Sequence, residues 1–114
     1  MQRCAGVGAP MVVDEELNEL KREFLDEALE KVTEMQAALD RLAERESLDR
    51  LAYLAHQLKG SGGSYGYQRI STDAAELEKV VESMAGGGAT QEEKIQQYVL
   101  NLRGEIDRAA RELQ

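Results

Sequence analysis

Tryptophan is absent from this 114-residue chain, and proline, phenylalanine, cysteine and histidine occur once each. Aromatic and β-branched residues, the usual strand material, are scarce. Ala, Leu, Glu, Gln and Arg dominate instead, which favours helix. One cysteine, Cys4, permits no internal disulfide and builds no zinc site by itself. One histidine cannot furnish the two Glu-x-x-His pairs of a di-iron bundle. No apolar run reaches the roughly 18 residues of a membrane span. Positive charge is also in deficit: 14 basic residues face 22 acidic ones, for a net charge of −8. Nucleic acids and anionic membranes reward clustered Lys and Arg, so neither is an expected partner. The first thirteen residues lack the long apolar segment of a secretion signal. A cytoplasmic location follows.

What is present describes one domain with one core. Apolar residues make up 42% and charged residues 32%, ordinary values for a folded chain and too apolar for a disordered one. Residues 1–13, punctuated by Gly6, Gly8 and Pro10, read as a flexible tail, and Met11 could serve as the natural start. The domain then occupies residues 14–114. Leu17, Leu20, Phe24, Ala28, Val32, Met35, Leu39 and Leu42 step by three and four, behind the acids Asp14, Glu15 and Glu16. A straight helix over that range would be about 45 Å long, longer than the helices that follow. A bend is therefore expected, with a short extra helix near residues 14–24.

Ser47 reads as the cap of a second helix bearing Leu51, Leu54, Leu58 and Tyr65, ended by Gly66. Ser71 or Thr72 reads as the cap of a third, bearing Ala74, Leu77, Val80, Val81 and Met84. Gly86-Gly87-Gly88 is a break, and Thr90 to Glu93 spells a capping box. Ile95, Tyr98, Val99, Leu102, Ile106, Ala109 and Leu113 form the last stripe. Short connections make neighbouring helices antiparallel, so the expected fold is all-α: an up-down four-helix bundle with a short extra N-terminal helix.

The histidine, His56, falls opposite the Leu51, Leu54 and Leu58 stripe and so faces outward. Tyr53, Lys59, Gly60 and Gly63 share its face. A lone exposed histidine ordinarily signifies nothing, but two features set this one apart. Gly60, Gly62 and Gly63 occupy positions where the helix should continue, at a cost of about 1 kcal/mol each. Either the helix stops at Gly60 as a cap, or bare backbone is left so that another protein can approach His56. Residues 50–72 also contain Arg50, Lys59 and Arg69 but no Asp or Glu, where proportion would put about four acids. A segment cleared of carboxylates tolerates an incoming phosphoryl group.

The residues His56-Gln57-Leu58-Lys59-Gly60, then Gly66, then Leu77-Glu78 resemble the histidine-phosphotransfer (HPt) family of two-component phosphorelays. The resemblance spans about residues 20–100. Gly62-Gly63 replaces the family's more usual Ser/Ala pair, and Tyr67-Gln68-Arg69 is longer-sided than typical, which bears on partner choice. The resemblance implies that His56 is the phosphoacceptor, taking a phosphoryl group from a receiver-domain aspartate, holding it on Nε2 and passing it to another receiver. Lys59 would stabilise the phosphate. Gln57, Gly60, Gly63, Tyr53 and Tyr67 would meet the partner, and a bulky side chain at Gly63 should block transfer. The implied partners are response-regulator receiver domains and a hybrid histidine kinase.

The attacking imidazole must be neutral. An exposed imidazole, with an ordinary pKa of about 6.5, mostly is. Gly60 to Gly66 is not a P-loop, since no Gly-Lys-Ser/Thr follows it, nor a dinucleotide fingerprint. The chain is therefore expected to be a carrier without its own ATP site, not an enzyme, and to need no cofactor or metal of its own. Any Mg²⁺ belongs to the partner receiver. A phosphate-independent adaptor that docks receivers, and the phosphoacceptor segment of a larger histidine kinase, are the alternatives.

Overall fold

The computed structural model describes residues 4–87 and 91–113, with side chains from residue 15 onward. Four helices carry the fold: α1 (Cys4–Ala38), α2 (Arg45–Ser64), α3 (Gln68–Ala85) and α4 (Glu92–Glu112). A short 3₁₀ turn, Leu39–Arg41, follows α1, and no strand occurs among the described residues. Each helix packs on its two neighbours around the ring, α1 closing against α4. Connections of a few residues make consecutive helices antiparallel. The bundle expected from the sequence is the one observed.

One expectation about the N-terminus needs correction. α1 is continuous, so residues 14–24 are turns within it and not a separate helix. Its first turns lie in the segment read as a tail. No Pro or Gly follows Pro10 within α1 to break the backbone hydrogen bonding. The other three helices have only 18 to 21 residues, so α1 outruns its neighbours. Leu17 and Leu20 are consequently 41% and 47% exposed, whereas Phe24, Ala28, Val32 and Met35 are buried.

The caps also differ. α2 begins after Glu44 and α3 after Tyr67, neither with a side-chain cap. Ser47, Ser71 and Thr72 therefore lie inside the helices and do not cap them. Ser71 instead donates its hydroxyl to the Lys59 carbonyl oxygen at 2.8 Å, tying α3 to α2. Thr90 lies outside the described residues. The N-cap of α4 is Gln91, with Glu92 and Glu93 in the first turn, where the helix dipole favours negative charge.

The core draws on all four helices. Val32, Met35, Leu51, Leu54, Leu58, Leu77, Val81, Val99, Leu102 and Ile106 are buried, and no polar or charged residue is buried with them among the described residues. Burial of apolar surface is thus the main force holding the helices. With the interior wholly apolar, any chemistry must be carried on the outside.

Candidate functional site

α2 does not stop at Gly60. It runs on to Ser64 with Tyr65 as its C-cap, so all three glycines are helical, and Gly66, with φ +84°, follows the cap. Gly66 N–H donates back to the Gly63 carbonyl at 3.2 Å, and Tyr67 N–H to the Gly62 carbonyl at 2.8 Å. A left-handed residue is needed to close the helix this way, and glycine adopts it without penalty.

The three helical glycines have different surroundings. A Cβ on Gly62 would sit 3.2 Å from Ser71 N and 3.3 Å from Ile70 Cγ2, so Gly62 is what lets α3 lie close to α2. A Cβ on Gly63 would meet Ser71 Oγ at 3.5 Å, an ordinary contact on the α3 side. A Cβ on Gly60 would meet nothing within 4 Å. Gly60, not Gly63, lines the groove beside the histidine.

The His56 side chain is 64% exposed. Its Nδ1 lies 3.0 Å from Glu78 Oε2 on α3. The same carboxylate accepts a 2.9 Å hydrogen bond from Lys59 Nζ through Oε1. Glu78 is only 14% exposed, yet its carboxyl is held below the usual carboxylate range. The Lys59 hydrogen bond is the largest cause and outweighs burial, and the His56 bond adds to it. An ionised carboxylate can only accept, so Nδ1 carries the proton of a neutral His56 ring. The lone pair then belongs to Nε2, at the outer tip. Glu78 thus aims the ring and selects its tautomer, while Lys59 keeps Glu78 ionised.

Glu78 entered the sequence analysis only as part of the Leu77-Glu78 pattern. Nothing in local spacing marks a carboxylate 22 residues from the histidine as its partner. Only the packing of α3 on α2, permitted by Gly62, brings them together.

On the other side, α1 meets α2. Gln57 donates to Tyr53 Oη at 2.8 Å, and the Arg50 guanidinium lies 5.3 Å from the Tyr53 ring centre. Arg50 also forks onto the Glu34 carboxylate. Tyr53 is 52% exposed and stands on the His56 face. A groove of about 630 Å³ runs between these helices, lined by His56, Gln57, Gly60, Ser61, Ser64 and Tyr65 from α2 and its cap, and by Lys31 from α1. No carboxylate lines it.

Tyr67 does not line that groove. It stacks on Phe24 at 5.8 Å, beside Tyr65, which stacks on Phe24 at 5.0 Å, and burial pushes its phenol pKa up. Tyr67 thus packs at the α1–α3 corner, half-buried and away from the groove that His56 lines. Among the described residues, no helix is long and apolar enough to cross a membrane, and no group of three or more His, Cys, Asp and Glu side chains could hold a metal ion.

In comparison with known families, the Hpt domain model matches residues 19–112. Hpt domains are helical carriers of phosphohistidine in two-component phosphorelays, and they work with receiver domains. No curated protein and no solved structure matches the chain.

Proposed function

We propose that this chain, which belongs to the Hpt domain family, accepts a phosphoryl group on His56 Nε2 from a receiver-domain aspartyl phosphate and passes it to the aspartate of a second receiver. The observation that carries this is the exposed His56 ring with Nδ1 held by a buried-side carboxylate. In the forward step the Nε2 lone pair attacks phosphorus. The bond between phosphorus and the aspartyl oxygen breaks, and the carboxylate leaves with the electron pair. The ring keeps its Nδ1 proton and gains one positive charge as the aspartate gains one negative charge. Glu78 faces that developing charge at 3.0 Å, which is where a fixed negative group is of most use. The reverse step restores the neutral ring. Transfer needs positioning and charge stabilisation more than covalent machinery. An ATP site of its own is not required, and Mg²⁺ would sit on the receiver.

Incubation with a phosphorylated receiver tests the proposal. The expected result is an acid-labile, base-stable label on the wild-type protein that is lost in His56→Gln. Binding of the receiver without label would favour the adaptor. Label from ATP and an isolated kinase domain, with none from receivers, would favour a kinase's phosphoacceptor segment.

A further inference from the structure

We propose that Lys31 of α1 is the cation that meets the phosphoryl group on His56, an inference that rests on the carrier role above. Lys59 is the cation the sequence singles out, but its ammonium is committed to Glu78 at 2.9 Å. Turning it toward a phosphate would break that bond to a largely covered carboxylate and leave Glu78 with His56 alone, which is costly. Lys31 has no such commitment. It lines the groove beside His56, and among the described residues no ion pair or hydrogen bond engages its ammonium.

On its other side Lys31 lines a second groove with Glu27, Glu30 and Glu34 of α1. Glu34 is taken by the Arg50 fork, and the Arg50 hydrogen bond is the main cause of its lowered carboxyl pKa, with Lys31 a minor one. The Arg50–Glu34 pair thus removes one of these three acids from competition for Lys31. The groove beside His56 offers donors, the Ser61 and Ser64 hydroxyls and the Gln57 amide, and no carboxylate. Gly60 leaves that side open. In a chain of net charge −8, a groove with one uncommitted cation and no acid suits a dianion. With Nδ1 turned to α3, a phosphoryl group on Nε2 would face the groove that His56 and Lys31 both line.

The test labels His56 with phosphoramidate, a donor with no protein surface, and follows the phosphoryl group by ³¹P NMR against pH. A nearby cation lowers the pKa of a phosphate. Lys31→Ala is expected to move the ³¹P titration midpoint upward by roughly half a pH unit, more than Lys59→Ala does, and Lys31→Arg should restore it. Transfer from a phosphorylated receiver should slow about three- to tenfold in Lys31→Ala, as loss of a partly screened charge contact implies. A labelled wild type with an unchanged midpoint in Lys31→Ala would overturn this inference alone. So would a slowed receiver transfer with an unmoved midpoint, since Lys31 would then contact the receiver and not the phosphate. Failure of wild-type protein to take label from either donor would overturn the carrier role and this inference with it.

Discussion

At the scale of single residues, His56, Glu78 and Lys59 divide one task. His56 supplies the lone pair, Glu78 sets which nitrogen bears it, and Lys59 keeps Glu78 charged. Glu78→Gln keeps the shape but loses the charge, and its amide can face Nδ1 either way. We expect transfer to slow roughly tenfold, the worth of a charge-assisted hydrogen bond of about 1.4 kcal/mol; rapid-quench transfer kinetics would measure it. Lys59→Ala should slow transfer less and not abolish it, because His56 retains its bond to Glu78. Equal loss in both variants would argue that Lys59 acts directly on phosphate.

At the scale of elements, the α2–α3 corner decides whether the site exists. Gly62 allows α3 to approach, and Ser71 fastens it to the Lys59 carbonyl. Gly62→Val would force backbone apart and should cost about 2–3 kcal/mol in urea unfolding followed by circular dichroism. Gly60→Ala meets no neighbour and should stabilise, by up to about 1 kcal/mol, through helix propensity. The two substitutions therefore have opposite signs although they stand two residues apart. A bulky side chain discriminates differently. Gly60→Trp should obstruct the groove and block receiver transfer with melting little changed, whereas Gly63→Trp, facing Ser71, should impair it less. The three glycines look alike in the sequence, and their distinct roles emerge only from what α3 places opposite each.

At the scale of the whole molecule, stability should vary with pH in two windows of opposite sign. Glu78 is held ionised, chiefly by Lys59. Its contribution is present above the unfolded carboxyl pKa and is lost as pH falls through its lower folded value. Glu105 on α4 behaves in reverse: burial first, then Asp73 on α3, push its carboxyl up to about 7, against the opposing influence of Arg69 and Arg108. The folded chain thus binds an extra proton between the ordinary carboxyl value and about 7. That contribution is complete below the unfolded pKa and lost as pH rises toward 7. Because the carboxyl is partly exposed, it amounts to no more than about 1 kcal/mol after solvent screening, or about 4 °C in Tm. Melting of wild type and Glu105→Gln between pH 5 and pH 8 checks this: the variant should lose the decline. A wild-type Tm that rises over that range would be the wrong sign.

The sequence by itself determined the four helices, nearly all of the core and the outward stance of His56, because helical period and glycine placement are local signals that survive without a partner. Residues such as Val32, Leu54, Leu77 and Val99 declare their faces through the positions of their neighbours in the chain, and the resemblance carried by His56 to Gly60 marks the site. Only the tertiary structure decided that Glu78 orients the ring, that Lys59 is tied to it, that Lys31 stands uncommitted across the groove and that Tyr67 is packed on Phe24. Each of these joins side chains from different helices, whose meeting depends on how closely those helices approach. Closeness of approach is fixed by shape and packing across the bundle, and no periodicity along one helix records it.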